Sequence, residues 1–370
     1  MTENSAFDAD SLTIAESPGY SSEVEAFART GPTRTGPSKS GPQSSSLQPV
    51  TNLVADHLKE VDTRILAQAA VFDPAIQAYA SYAIGGRGKR LRPLVALLAA
   101  GTTGEISSSH VDLAVIVELI HIATLVHDDI MDEADRRRGQ PTVNARWGNS
   151  LSVLLGDCLF AHALNLAAGF DQPQISRAIA RTASEVCSGE MIQTQRRFDL
   201  QLRVEDYLRI VEMKTGSLFA VAAELAAQMS GAGASTTATL QRYGLRIGTA
   251  YQIYDDCLDL AGTEARTGKT LGTDLRKGKF TLPVLNFLES ASEFERARCS
   301  EWILEGRTAE VAELLRNGAN NGSLDASITT ACQFIREAQS AIQPVPANVY
   351  GKALSDLGDA LIEMLEQLRG

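Results

Sequence analysis

From about Val50 onward, apolar positions recur every three to four residues, the spacing of helices that bury one face. The clearest stretches are Leu94 to Ala100, Val111 to Val126, Ser152 to Ala168, Ile175 to Gln195 and Ser217 to Met229. Ala, Leu, Glu and Gln, all good helix formers, abound in them, and alternating β-branched strands are missing. Gly and Pro fall mainly between the periodic stretches, as at Gly139-Gln140-Pro141 and Gly231-Ala232-Gly233, where they punctuate the chain. Several stretches are apolar on most sides, as helices buried in a large core are. The same pattern suits helices that line an apolar cavity. The pattern predicts an all-α fold: one large helical bundle over residues 50–370, around a central apolar cavity.

Residues 1–49 differ in kind. Segments such as Gly31-Pro32-Thr33-Arg34-Thr35-Gly36-Pro37-Ser38 and Ser44-Ser45-Ser46 are polar and without periodicity, which predicts a disordered, low-complexity tail. Glu3, Asp8, Asp10, Glu16, Glu23 and Glu25 argue against an organelle transit peptide, and the tail has no secretory-type apolar stretch.

The 370 residues are 44% hydrophobic, enough for a substantial core, and carry a formal net charge of -11. That charge and the lack of a Lys/Arg block argue against nucleic-acid binding. No apolar run approaches the length of a membrane-spanning helix. Cys158, Cys187, Cys257, Cys299 and Cys332 are scattered without C-x-x-C spacing. They read as buried thiols in a reducing cytoplasm rather than a disulfide framework or zinc site.

Two acidic signatures of identical spacing carry the candidate chemistry: Asp128-Asp129-Ile130-Met131-Asp132 and Asp255-Asp256-Cys257-Leu258-Asp259. On a helix, residues four apart share a face, so Asp128 projects with Asp132 and Asp255 with Asp259. Carboxylates grouped this way repel and need cations if partly buried. Hard oxygen ligands suit Mg²⁺, which keeps several waters and bridges to substrate phosphates. One D-D-x-x-D is more often an acidic helix end facing solvent. Two of them, each with basic residues nearby, predict a diphosphate held by metal ions between facing helices.

Counting back four and seven residues from Asp128 gives Thr124 and His121, both nearly aligned with it. Asp135-Arg136-Arg137-Arg138-Gly139 follows the first motif, and Gly85-Gly86-Arg87-Gly88-Lys89-Arg90-Leu91-Arg92-Pro93 lies upstream. Guanidinium forks match phosphate oxygens, and glycines let backbone amides approach an anion. Neither the Gly85 stretch nor Gly262 to Thr270 has P-loop spacing or a preceding strand. Lys214-Thr215, Lys269, Lys277 and Lys279 add further cations, and Gln252 can share a face with Asp255. Acids on two walls with cations among them fit two diphosphates better than one phosphorylated ligand.

These motifs, in this order and together with Gly278-Lys279-Phe280-Thr281-Leu282-Pro283, resemble the trans-isoprenyl diphosphate synthase (polyprenyl synthetase) family over essentially everything after the tail. The run Glu118 to Asp129 looks most like the long-chain polyprenyl branch, which makes quinone side-chain precursors. The resemblance implies that Asp128, Asp132 and Asp255, joined by Asp129, Asp256 and Asp259, hold Mg²⁺, about three ions with bound diphosphate. It implies that Arg137, Lys214, Thr215, Gln252 and Lys269 contact the allylic diphosphate, farnesyl or geranylgeranyl. Lys89, Arg92, His121 and Arg138 would bind isopentenyl diphosphate. Asp128, Asp132, Arg137, Lys214, Asp255 and Lys269 would carry catalysis. Arg87 departs from the family's usual glycine, and Tyr251 stands where Phe is frequent. The family also implies a homodimer, and leaves open a transient membrane contact during product release.

In this family, the fourth and fifth residues before the first Asp motif help set product length. Here they are Thr124 and Ala123, followed down the helix by Ile120 and Val117, with no aromatic among them. From Thr124 to Val117 is roughly 10 Å of helix, so a tail should pass well beyond the short-chain stop. The resemblance implies products of about thirty to forty carbons. Small residues also permit close helix packing, the competing reading. The floor would lie around Leu159, Phe160, Ala163 and Leu164. Geranylgeranyl diphosphate synthase is the nearest alternative. A class I terpene cyclase would lack Lys89, Arg92 and Asp255, and a regulatory subunit would lack the Asp clusters.

Overall fold

The computed structural model describes residues 46–86, 88–261, 272–317 and 322–369. The helices, in chain order, begin with α1 (Gln48–Leu53), α2 (Ala55–Gln68), α3 (Gln77–Ile84), α4 (Leu91–Thr103), α5 (Ser108–Met131) and α6 (Val143–Trp147). There follow α7 (Asn149–Ala168), α8 (Pro173–Gln195), α9 (Val204–Val211), a π-helical turn Glu212–Gly216, α10 (Ser217–Met229) and α11 (Ala234–Ala261). The chain closes with α12 (Thr273–Arg276), α13 (Leu282–Ser290), α14 (Glu293–Leu304), α15 (Thr308–Asn317), α16 (Gly322–Ala341) and α17 (Val349–Glu366). Every apolar stretch singled out in the sequence lies within a helix. Leu47 and Val50 are already buried at the start of α1.

The core follows from hydropathy. Leu91 to Thr102 on α4 are all buried, as a helix apolar all round requires. On one side α4 packs against α5 and α10, and α10 runs along α11, which meets α16. On the other side α5 packs against α7. The cap of α17 ties it back to α4: the Asn348 side chain accepts from the amides of Tyr350 and Gly351 and donates to the carbonyls of Gly101 and Thr102.

One feature was not expected, and one expectation needs correction. The Arg137-Arg138-Gly139 segment forms a small hairpin, with Arg136–Arg137 antiparallel to Gln140–Pro141. Its central residues have φ of 52° at Arg138 and 78° at Gly139, a left-handed pair that matches the twist of a two-residue hairpin. The second concerns membrane-length runs: α5 and α7 are long and apolar enough to cross a bilayer, by length and composition alone. The apolar window of α5 is 72% buried in the bundle, as a core helix is, whereas that of α7 is only 39% buried.

Helices α10 and α11 approach unusually closely. A Cβ at Gly244 would lie 2.4 Å from the Phe219 carbonyl oxygen, so only glycine fits without separating the two backbones. Gly244→Ala is therefore expected to lower unfolding free energy by about 1–3 kcal/mol, the usual range for overpacking. Gly233→Ala, where a Cβ meets nothing within 4 Å, serves as the control. Denaturant titration of both variants checks this; equal midpoints would disprove the close packing.

Candidate active site

The two acidic motifs occupy the C-terminal ends of α5 and α11. Asp128, Asp132, Asp255 and Asp259 are half-buried, whereas Asp129 and Asp256 are buried. The middle acids have partners inside the fold. Asp129 accepts from the Nε and Nη2 of Arg137, each at 2.8 Å. Asp256 accepts from the Tyr207 hydroxyl at 2.5 Å and from Gln252 Nε2 at 2.8 Å. Gln252 in turn accepts from Thr215 Oγ1 at 2.8 Å. Thus Arg137, Thr215 and Gln252, expected at the allylic diphosphate, are each oriented by another member of the predicted set.

Lys214 links the two walls. It projects from the π-helical turn, which lies so close to α8 that a Cβ at Gly189 would sit 2.8 Å from the Lys214 amide nitrogen. Such turns are frequent at functional sites. The Lys214 ammonium donates to Gln193 Oε1 at 2.7 Å and stands 3.7 Å from Glu190 Oε2. Burial works against its charge, yet Glu190, Asp128, Asp256 and Asp274 together hold Lys214 above the usual lysine range. Across the cleft, Lys279 Nζ lies 2.8 Å and 3.0 Å from the two Asp132 oxygens, so the segment after the second motif reaches the first.

Electrostatics confirm crowding of like charge. Burial, then the neighbouring Glu190 carboxylate, pushes Asp128 up to about 7. Burial, then Asp274, pushes Asp256 up to about 7. Asp132 goes the other way: burial opposes its charge, but Lys279, Lys277 and Arg197 hold it below the usual carboxylate range. Glu190 and Asp274 were missed by sequence reasoning. Asp274, on α12, feels Asp255 and Asp132 at once and so sits between the two motifs. Its only sequence signal is its place just before Lys277-Gly278-Lys279. Glu190 has no local signal, since its partners are distant in the chain.

A second, cationic group surrounds His121. Burial, then Arg92, Arg138, Arg137 and Arg90, holds its imidazole well below its ordinary range, so it is neutral and can donate or accept. Arg92 is buried, stacks over the Phe219 ring at 4.7 Å and leaves its Nε without a protein partner. Lys89 lies 5.8 Å and 5.7 Å from the ring centres of Tyr251 and Tyr254. Glu118, 5% exposed in its side chain, pairs with Arg90 at 2.6 Å. Arg90 also reaches Asp62 at 2.7 Å and takes a left-handed φ of 50° at the start of α4. The structure therefore gathers Lys89, Arg92, His121 and Arg138 into one positive region. Arg87 and Lys269 lie outside the described residues.

Val117, Ile120 and Ala123 are fully enclosed, and Thr124 is half-buried with its hydroxyl on the His121 carbonyl. Leu159 and Ala163 are buried on α7, the helix packed beside α5.

A divalent ion fits the acid side. Among the described residues, no three acid or imidazole side chains stand close enough to share one ion. An open set of carboxylates suits a hard cation that completes its shell with water and substrate phosphate, and among them burial, then the neighbouring Glu190, raises Asp128.

The comparisons agree with this chemistry. The Polyprenyl synthetase family model matches residues 73–317. The chain is 36% identical to octaprenyl diphosphate synthase of Haemophilus influenzae over 313 residues, 84% of this chain and 95% of that one. It resembles the crystal structure of a polyprenyl synthase from Caulobacter crescentus complexed with calcium and isoprenyl diphosphate. That match has a TM-score of 0.80 and 34% identity, over 88% of this chain and 99% of that one. A decaprenyl diphosphate synthase from Rhodobacter capsulatus matches with a TM-score of 0.79 at 33% identity, over 87% and 99%.

The raised Asp128 sets a pH dependence. At low pH it is protonated and close in shape to Asn; as pH rises through about 7 it becomes a buried charge beside Glu190. A carboxyl whose folded pKa is raised loses native stability as pH climbs from its unfolded value to its folded one. In chelator, Asp128→Asn is expected to unfold at progressively higher temperature relative to wild type between pH 5 and 8. A difference in melting temperature that stays flat over that range would contradict the crowding.

Proposed function

From the premise that the chain belongs to the polyprenyl synthetase family, we infer that this site joins isopentenyl diphosphate to an allylic diphosphate in the trans configuration. The chain is a prenyltransferase that makes medium- to long-chain polyprenyl diphosphates. The observation that carries the site assignment is the pairing of a two-walled acid group with a separate positive group. Lys279 reaches Asp132 across the first, while Arg92, Arg138 and His121 form the second.

Asp128, Asp132 and Asp255, with Asp259 nearby, would hold magnesium, which would supply Lewis-acid neutralisation of the leaving diphosphate. Lys214 and Lys279 share that negative charge from within the protein. Arg92, Arg138 and Lys89 hold isopentenyl diphosphate, and neutral His121 supplies a hydrogen bond without adding to their charge. The allylic carbon–oxygen bond breaks, the isopentenyl double bond attacks the resulting cation, and a proton leaves to the released diphosphate. No protein nucleophile is required. Burial of the site keeps water from quenching the cation.

Relatives that make octaprenyl, nonaprenyl and heptaprenyl chains favour a long product over a twenty-carbon one. The small residues Ala123 and Thr124 support the same reading, with farnesyl or geranylgeranyl diphosphate as primer and quinone side chains as destination. Val153 and Leu154 on α7 and Met191 on α8 are exposed, and Leu154 is 65% exposed. A second copy covering this apolar face would make a homodimer. The five cysteines are free, in keeping with a cytoplasmic enzyme, but only Cys257, Cys299 and Cys332 are buried as expected; Cys158 and Cys187 are exposed.

Asp128→Ala and Asp255→Ala are each expected to cut turnover by about 100-fold or more while far-UV circular dichroism stays helical. Near-normal turnover in both would refute the assignment. Chromatography of the wild-type product should show chains of about thirty to forty carbons, and Thr124→Phe should shorten them by filling the path beside α5. A twenty-carbon wild-type product, or a Thr124→Phe product unchanged in length, would overturn the length reading.

A further inference from the structure

Asp132 is met by more cations than one carboxylate needs. Lys279 lies at 2.8 Å and 3.0 Å from its two oxygens, Arg197 Nη2 at 3.2 Å and Lys277 at 4.0 Å. Lys279 alone satisfies it with good geometry. The remaining contacts of the Arg197 guanidinium are weak: Nη1 and Nη2 reach the Met131 carbonyl at 3.4 Å and 3.3 Å, beyond the usual N–H···O range. Its Nε is buried without a partner. A five-donor fork is thus held there with its Nε unpaired and two of its three contacts long.

The backbone that holds it there is strained. Phe198, the next residue, adopts φ of 61°, unusual for an aromatic residue, and is 54% exposed. Its amide donates to the Gly278 carbonyl at 2.8 Å. Its ring lies flat against Gly278, where a Cβ would stand 2.6 Å from ring carbons. Gly278, itself at φ of 69°, lies between Lys277 and Lys279. This clasp therefore fastens the segment carrying Arg197 to the one carrying the two lysines, and all three cations converge on Asp132. Strain of this kind persists where surrounding structure enforces it, and it gathers at binding sites.

We propose that Arg197, positioned by the Phe198–Gly278 clasp, is a further diphosphate-binding residue of the allylic site. The inference rests on the prenyltransferase reading above. Arg197 here helps neutralise Asp132. When a divalent cation takes those carboxylate oxygens, the guanidinium is free to form paired hydrogen bonds with phosphoryl oxygens, for which its fork is shaped. The competing role is structural: an arginine on the last carbonyls of α5 also favours that helix end.

The test is calorimetric titration of inorganic diphosphate in magnesium, with steady-state kinetics on the same full-length proteins. Arg197→Gln is expected to weaken diphosphate binding and raise the KM for farnesyl diphosphate by about tenfold, the loss of a charged hydrogen bond. The KM for isopentenyl diphosphate should not move. Arg197→Lys should recover part of the affinity, and Phe198→Gly, which keeps the backbone angle but removes the ring, should lose part of it. If Arg197→Gln lowers the melting temperature yet leaves diphosphate affinity and the farnesyl KM unchanged, the residue only caps α5 and the proposal fails. Absence of prenyl transfer by the wild type would defeat the functional reading separately, because diphosphate affinity is measured without turnover.

Discussion

Negative charge confined in a poorly solvated cleft is the constraint on which the site's arrangement rests. Asp128, Glu190, Asp256 and Asp274 all lie where water cannot screen them well, and Asp128 and Asp256 are both pushed up to about 7. Such a group folds only if cations come with it. Lys214 and Lys279 supply them from opposite sides, one from a π-helical turn and one from the segment after α12. The same unmet demand for positive charge is what a divalent ion would satisfy. In this sense, the features that make this charge costly to bury are the features that suit the cleft to a metal–diphosphate complex.

The rest of the bundle serves to present those charges. The Asp motifs terminate α5 and α11, the two long helices that run through the core, so their positions are fixed by packing far from the chemistry. Close contact at Gly244 seats α11 on α10, which carries the π-helical turn at its start. Gly189 lets α8 approach that turn, bringing Gln193 and Glu190 to Lys214. The positive group beside His121 is ordered separately, through Arg90, Glu118 and the hairpin of Arg136 to Pro141. Two anion-binding regions of different character result, one needing metal and one made of guanidinium and imidazole.

Much of this was legible in the residues. Helical periodicity located the main helices, because an all-round apolar stretch such as Leu94 to Ala100 has nowhere to go but the core. The four-residue spacing grouped Asp128 with Asp132 and Asp255 with Asp259, and the structure leaves these four half-buried while Asp129 and Asp256 are buried. Alignment of His121 with Asp128 along one helix placed the imidazole, although its surroundings of four arginines came from elements distant in sequence. Glu190, Asp274, Arg90 and Arg197 were not legible as site residues. Each acts through a partner dozens of residues away, and each looks locally like ordinary surface charge. The hairpin escaped notice because two-residue strands leave no alternating pattern. The membrane-length character of α5 and α7 was underestimated because single polar residues interrupt runs that remain apolar on average.

The central claim is that acids from α5 and α11 grip one diphosphate through divalent ions. A crystal structure grown with magnesium and an unreactive prenyl thiolodiphosphate tests it most directly. The account predicts metal density between Asp128, Asp132 and Asp255, with the diphosphate bridging the ions and Lys214 and Lys279 turned toward it. Diphosphate bound away from those carboxylates, with Asp128 and Asp255 left facing solvent and no metal between them, would contradict it.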